Sequence, residues 1–435
     1  MIFDLLRYKD NIAIITDDGQ RLTYADLDAM VETETIKYRK NFLEFCLVEN
    51  SIESLVKYLA CLRAGAPAVM LDKHKSADMI NHLAEIYQPG KTICHPEIAL
   101  LLTTSGSTGS PKLVKLTGKN LLSNAESIAE YLHIDENERP ITSLPMYYSF
   151  GLSVINSHLL KGATLLLTDR AVIQKEFWEF AKEAEATSIS GVPYTYEMLR
   201  RLRIFHMDLP KLKTMTQAGG KLNPMIAQEY IENAKASGKR FVEMYGQTEA
   251  TARMSYLPED RAAEKYASIG VPIPGGKFSL IDSDGNVIDE PDVDGELVYE
   301  GENVSMGYAE CIADLAKGDE NKGVLHTGDL ARRDSDGFYY ITGRLKRFVK
   351  VWGNRCNLDA TEQLVKSITT NCACAGVDDK ITIFVTKEGL ETEIKALLSE
   401  KMGLNNRAFA VKVIAEIPKN ASGKVQYAEL QDMLD

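Results

Sequence analysis

The sequence predicts an α/β fold: a large N-terminal domain of doubly wound sheets, then a small antiparallel sheet or barrel, then a small α+β domain. Three observations carry that prediction. Strand and helix signals alternate to about residue 245, as expected for a parallel sheet covered on both faces. Three Asp-Gly turns, each leading into a strand, follow between residues 278 and 344. Beyond Arg344 a short mixture of strand and helix signals is long enough to form a domain of its own. At 435 residues the chain also exceeds one compact core.

The elements follow in order. TYADLDAMVETETIKYRK, residues 23–40, reads as a helix with Thr23 as its N-cap. SLVKYLACLRAGA places apolar residues at helical spacing and stops at Gly65; AVMLD, Ala68 to Asp72, is a short strand. IALLLTT, Ile98 to Thr104, is a buried strand, followed by a Gly/Ser loop and a helix from near Lys119. FSLIDSDGNVIDE reads as strand, turn and strand, while DGELVYEG and DGFYYITGR each place a strand after a turn. ITIFVTK, ETEIKALLSEKM and AVKVIAEI give strand, helix and strand at the end.

Composition narrows the function classes. A net charge of -12 argues against a nucleic-acid binder working through a broad basic face. The first residues, MIFDLLRYKD, lack the apolar stretch of a signal peptide, and no run is long enough to span a bilayer. Seven scattered cysteines read as free thiols of a reducing cytoplasm. Cys372-Ala373-Cys374 suggests a metal pair at most; without further ligands nearby, two ordinary buried thiols are the preferred reading.

Two motifs carry chemistry. TTSGSTGSPK, Thr103 to Lys112, follows a buried strand; its glycines let several N–H groups face one anion, its hydroxyls add donors, and Lys112 adds charge. It is not a Walker A loop, because that spacing from Gly106 needs glycine where Pro111 stands. YGQTE, Tyr245 to Glu249, supplies an aromatic face, two hydrogen-bonding side chains and a carboxylate, suited to a base, phosphate oxygens and Mg²⁺.

With LTYADL, TSGSTGSPK, LPMYYSFGLS, QAGGKL, YGQTEAT, HTGDL, GRLKRFVKVWGNR and PKNASGK in this order, the chain resembles the adenylate-forming superfamily from about Leu22 to Lys424. That superfamily includes acyl-CoA synthetases, adenylation domains of peptide synthetases, D-alanine–carrier-protein ligases and beetle luciferases. The resemblance implies activation of a carboxylic acid by ATP and Mg²⁺ as acyl-AMP, then transfer to a thiol of CoA or of a phosphopantetheinylated carrier protein. It implies that Thr104, Ser105, Gly106, Ser107, Thr108, Gly109 and Lys112 wrap the phosphates. Ala218, Gly219 and Gly220 would line the adenine and Tyr245 would stack on it, within a segment that also contains Gly246 and Gln247. Thr248 would touch the α-phosphate, Glu249 would hold Mg²⁺, and Asp329 and Arg344 would serve the ribose. Lys424 would bridge carboxylate and α-phosphate in the transition state, where negative charge gathers.

By the same resemblance, residues 1–342 form the adenylation domain, 343–346 a hinge pivoting at Lys346, and 347–435 a mobile domain. After adenylation its other face, with Lys350, Trp352 and Gly353, would meet the thiol. A plain basic strand face at Lys346, Arg347 and Lys350 is the alternative, and Arg332, Arg333, Lys346, Arg347 and Lys350 could form a docking patch.

The departures are informative. LPMYYSFGLS has Tyr147, Tyr148 and Phe150 where amino-acid-activating relatives place an aspartate, so α-amino acids are expected to be poor substrates. A fatty, aromatic or short aliphatic acid is expected beside Tyr148. His326 before TGD and Cys356-Asn357 after the arginine read as neutral replacements. The chain is also shorter than many relatives, which suggests a stand-alone activator. An acceptor other than a thiol, and a non-catalytic binding protein that keeps the fold, are the competing readings.

Overall fold

Local signals set the element ends in the computed structural model, which describes residues 3–103, 112–345, 347–419 and 425–434. The Thr23 hydroxyl accepts from Asp26 N–H at 3.1 Å and the Asp26 carboxylate accepts from Thr23 N–H at 2.9 Å, a reciprocal cap. The helix it opens, Tyr24–Thr35, stops short of the expected residue 40. Gly65, at φ +68°, ends the helix Ile52–Ala64 in the left-handed conformation that glycine tolerates best. Thr117 caps the helix Gly118–Tyr131.

A nine-stranded sheet runs Val271–Pro272, Ser255–Tyr256, Arg240–Tyr245, Thr214–Gln217, Ser188–Gly191, Pro140–Ile141, Leu165–Leu167, Ile12–Thr16, Arg21–Thr23. Its centre is parallel and its edges antiparallel. A five-stranded sheet runs Tyr308–Ala309, Leu113–Thr117, Ile98–Thr103, Ala68–Asp72, Glu44–Val48, again parallel within and antiparallel at one side. The uninterrupted apolar run of Ile98–Thr103 reflects burial on both faces: Leu100 and Leu102 join one core with Leu55 and Leu59, while Leu101 joins another with Leu83 and Tyr87.

The region of Asp-Gly turns forms a four-stranded sheet, in the order Lys277–Ile281, Gly295–Glu300, Val324–Arg333, Tyr339–Arg344. Among the described residues these strands lie in one sheet, within the sheet or small barrel that the sequence predicts. The second strand expected in FSLIDSDGNVIDE reduces to a single bridge, Ile281 to Val287. Near the C-terminus, Cys372–Val377, Lys380–Val385 and Phe409–Val413 make a three-stranded sheet, with helices Leu358–Val365 and Glu391–Met402.

The described chain divides into two compact units. One comprises residues 3–103, 112–278 and 299–325; the other comprises 279–298 and 326–434 without the residues set aside above. Each has its own core, that of the second built on residues such as Val351, Val365, Ile383, Leu398 and Phe409. All seven cysteines are free. Cys372 and Cys374 are buried side by side on one strand face, where burial pushes the Cys372 thiol up to about 12 and Cys374 well above its ordinary value. Among the described residues neither joins a group of three or more candidate metal ligands. No described helix is long and apolar enough to cross a membrane.

Candidate active site

Thr103 and Leu113 pair across antiparallel strands, and between them Thr104 to Pro111, with most of the expected phosphate loop, lies outside the described residues. So do Lys346 and Lys424. The lysine that ends the loop is described. Lys112 Nζ lies 2.5 Å from the Glu310 carboxylate and 5.7 Å from the centre of the Tyr308 ring.

Glu249 stands on the turn after the strand Arg240–Tyr245, and its Oε1 accepts the Tyr308 hydroxyl at 2.6 Å. Burial and this carboxylate together push the Tyr308 phenol well above its ordinary pKa. The backbone beside Glu249 is unusual: Thr251 and Ala252 have φ +57° and +101°, a conformation L-residues avoid. A brace from residues 303–308 holds it. Asn303 Nδ2 donates to the carbonyls of Ala250 and Arg253 at 2.8 and 2.9 Å, Thr251 Oγ1 donates to Asn303 O at 2.6 Å, and Ser305 N donates to Glu249 O at 2.8 Å. The same segment then pairs with the strand Leu113–Thr117, Tyr308 facing Val114. One stretch of chain therefore ties the carboxylate at 249 to the strand beginning next to Lys112.

Thr248 Oγ1 lies 3.0 Å from Ser149 Oγ, at the start of the helix Ser149–Leu160. Tyr245 packs on Phe278 with ring centres 6.4 Å apart, and Gln247 Nε2 donates to its hydroxyl at 3.3 Å. A Cβ at Gly246 would meet Ala252 O at 1.9 Å, so glycine is required there by the brace. The turn of Ala218, Gly219 and Gly220 is pinned by Gln217, whose Nε2 donates to the carbonyls of Ala218 and Gly220 at 3.2 and 3.0 Å. Gly219 has φ +85°, and a Cβ there would lie 2.6 Å from the Tyr148 hydroxyl, so Tyr148 abuts this turn. Lys112, Tyr148, the 218–220 turn and 245–249 all belong to the first compact unit.

Asp329 and Arg344 belong to the second unit, where they are register partners on adjacent strands. Arg344 Nε donates to Asp329 Oδ1 at 3.2 Å; the Asp329 side chain is buried and that of Arg344 is exposed. Trp352 and Gly353 form the two-residue turn of a hairpin, at φ +48° and +86°. Trp352 is half exposed and Lys350 exposed, and their N–H groups donate to Asp379 and Asp378 at 2.7 and 2.9 Å.

Two expectations need correcting. Arg347 is not part of an exposed basic face. Its side chain is 11% exposed, its guanidinium lies 3.4 Å from the Tyr427 ring centre, and it pairs with Asp359 at 2.9 Å and Glu362 at 3.6 Å. A cation beside two carboxylates and an aromatic face is drawn inward rather than left in water. Asn357 is not a neutral replacement either: its Oδ1 caps the helix Leu358–Val365 through Asp359 N–H and Ala360 N–H, and its Nδ2 donates to Thr342 O.

The sequence reading missed Tyr308, Glu310, Asn303, the half-buried Glu243 and the buried Arg253. Burial pushes the Glu243 carboxyl up to about 8. Nothing in NVSMGYAE marks it as a brace, whereas the arginine in TEATARMS, a charge among small residues, was a usable signal.

A family model described as AMP-binding enzyme matches residues 84–309. An oxalate–CoA ligase of Arabidopsis thaliana is 30% identical over 350 residues, 76% of this chain and 67% of that protein. A long-chain-fatty-acid–CoA ligase of Escherichia coli is 30% identical over 357 residues, 77% of this chain but 62% of that protein. The chain thus spans about two thirds of the length of these relatives. Among solved structures, o-succinylbenzoate CoA synthetase of Bacillus subtilis with ATP and magnesium superposes at TM-score 0.84 and 24% identity, covering 98% of this chain and 99% of that one. That likeness establishes a shared fold: α/β, with a large N-terminal and a smaller C-terminal domain.

Proposed function

The chain belongs to the AMP-binding enzyme family, and on that premise we propose that it is an AMP-forming acid–thiol ligase. A carboxylate oxygen of the acid attacks the α-phosphorus of ATP, and pyrophosphate leaves. A thiolate then attacks the carbonyl of the acyl-AMP, and AMP leaves. The observation that carries this reading is the cluster around Tyr308: Lys112, a cation for phosphate, and Glu249, an oxygen donor for a hard divalent ion, both face one phenol.

Mg²⁺ fits Glu249, whose carboxylate is a hard oxygen donor and lies against the Tyr308 hydroxyl. Bound with ATP, the ion would lower the negative charge of the phosphates. This chain's own residues do the rest. Lys112 pairs phosphate oxygens, Thr248 holds the α-phosphate, and Tyr245 with the 218–220 turn encloses the adenine. Asp329 and Arg344 orient the ribose. Lys424 stabilises charge on the carboxylate and α-phosphate as they approach each other. Residues 343–346 act as the hinge, and the domain from 347 turns to bring Lys350, Trp352 and Gly353 to the thiol.

CoA is the proposed acceptor, because both relatives above carry CoA in their names. Carrier-protein phosphopantetheine would require the same first half-reaction. The two relatives are equally similar yet act on a short and a long acid, so likeness leaves the acid open. α-Amino acids are proposed to be poor substrates. Carboxylate-dependent ATP–pyrophosphate exchange tests the reading, with a panel of aliphatic, aromatic and amino acids on wild type and Lys424→Ala, followed by thioester formation with CoA. Exchange that needs one class of acid and collapses in the variant supports it. Binding of Mg·ATP with no exchange on any acid would move the chain to a binding role.

A further inference from the structure

We propose that Arg253 is the specificity-determining residue for the acid, and that the preferred acid carries a second anionic group which this guanidinium pairs. The inference rests on the acid-activation reading above and names its substrate class.

Arg253 is 2% exposed. Its backbone is fixed from both sides, since its carbonyl accepts from Asn124 Nδ2 and from Asn303 Nδ2, each at 2.9 Å. The side chain is fixed by much less. Its guanidinium carbon lies 3.7 Å from the centre of the Phe150 ring, and Nη1 reaches the Ala252 carbonyl only at 3.4 Å. The Tyr131 hydroxyl, a neutral group, accepts a hydrogen bond from the guanidinium, and Nε has no hydrogen-bond partner. Among the described residues no carboxylate lies within ion-pair distance of it. Every other buried cation noted above or nearby has one: Lys115 pairs with Glu320 at 3.0 Å, and Arg347 with Asp359.

A buried guanidinium without a counter-charge is costly, and a ring face with two neutral hydrogen-bond acceptors offsets only part of that cost. The placement of Arg253 says what could supply the missing charge. Phe150 beneath it and Tyr148 beside Phe150 belong to LPMYYSFGLS, and Tyr148 abuts the turn at Gly219. These groups share the first compact unit and form one run of contacts, from Arg253 through Phe150 and Tyr148 to the proposed nucleotide turn. An acid activated at the nucleotide would direct its far end along this run. A carboxylate or sulfonate there matches the planar fork of arginine with two parallel hydrogen bonds. A plain alkyl tail would leave the cation unpaired, and an ammonium would be repelled.

The test uses the full chain in ATP–pyrophosphate exchange with α,ω-dicarboxylic acids and with monocarboxylic acids of equal carbon number, on wild type, Arg253→Met and Arg253→Lys. For wild type, kcat/KM for the best dicarboxylic acid should exceed that of its monocarboxylic partner at least about tenfold, as expected when a site holds a buried partner for the group. Arg253→Met should remove that ratio, mainly through KM for the acid, and Arg253→Lys should restore part of it. Mg·ATP binding followed by calorimetry should stay unchanged in both variants. Exchange with monocarboxylic acids at equal or better kcat/KM in wild type overturns the inference and leaves acid activation standing. So does an unchanged ratio in Arg253→Met. If Arg253→Met no longer binds Mg·ATP, the wild-type ratio and Arg253→Lys decide. No exchange on any acid would overturn both readings together.

Discussion

The Tyr308 hydroxyl donates to Glu249 Oε1 at 2.6 Å, and the same ring lies 5.7 Å from Lys112 Nζ. The two residues are 59 apart in sequence, yet the chain from 303 to 310 fastens the 248–253 turn on one side and the strand Leu113–Thr117 on the other. The carboxylate proposed above to hold Mg²⁺ is thereby held by a neutral donor, which orients it without cancelling its charge. Lys112 is instead occupied by Glu310, a contact that ATP would have to displace under the proposed function.

Replacing Tyr308 with phenylalanine should raise the Mg²⁺ concentration needed for half-maximal pyrophosphate exchange about tenfold, in line with the loss of an outer partner of a metal ligand. KM for the acid should not move. A Mg²⁺ titration of exchange rate on wild type and Tyr308→Phe checks this, and an unchanged Mg²⁺ requirement would show that the phenol only packs.

The opposite sign is expected for Glu310→Gln. Removing the competing carboxylate, partly exposed as it is, should tighten ATP binding a few-fold, consistent with about 1 kcal/mol for an exposed ion pair. Calorimetric titration with Mg·ATP reads this directly. A gain in affinity cannot come from damage to the fold, which makes this the more discriminating variant of the two.

Lys424→Ala should lower acyl-AMP formation by a factor on the order of 10² to 10³, the usual consequence of removing one donor to transition-state charge. Thioester formation from synthetic acyl-AMP should be nearly unaffected, because the lysine is proposed to act before that step. Equal losses in both half-reactions would argue that the residue supports the fold of its domain.

Arg347 and Lys350 are predicted to separate. Arg347→Met strands Asp359 and Glu362 in a buried site and should destabilise the second unit by about 3 kcal/mol, the scale for breaking a buried pair. Lys350→Glu, on an exposed side chain, should leave the denaturation midpoint within error and change only encounter with the acceptor. Chemical denaturation of both variants, beside KM for CoA, distinguishes the two roles.

Glu243 supplies the pH prediction. Burial raises its carboxyl to about 8 in the folded chain, so the folded form keeps a proton that the unfolded chain releases near 4.5. The resulting contribution is fully present below pH 4.5, falls as pH rises toward 8, and is level above that. Glu243→Gln should remove that slope and be the more stable protein at alkaline pH, by on the order of 2 kcal/mol. Urea midpoints for both proteins at acid, neutral and alkaline pH check the crossing.

How legible the protein was in its sequence depended on the range of the interaction. Ala68–Asp72 was read to the residue, because a short apolar strand after a glycine helix stop is a local pattern. Thr23 and Asp26 announce a helix start within four residues. The helix end at Thr35 was misplaced, since ETIKYRK has no terminating residue. The sheet or barrel expected after residue 278 is a four-stranded sheet, because turn signals mark hairpins and do not say whether the strands close.

By itself the sequence determined the family and the chemical inventory: a lysine after a Ser/Gly loop, a carboxylate after an aromatic turn, and a basic segment before the C-terminal strands. Those features lie within stretches of about ten residues, where spacing alone fixes their meaning. Only the tertiary structure decided that Arg347 is buried while Lys350 is exposed, that Tyr308 orients Glu249, and that Arg253 has no counter-charge among the described residues. Each of those facts depends on which distant groups share a low-dielectric interior. Burial and pairing are set by contacts between segments tens to hundreds of residues apart, which no local pattern encodes.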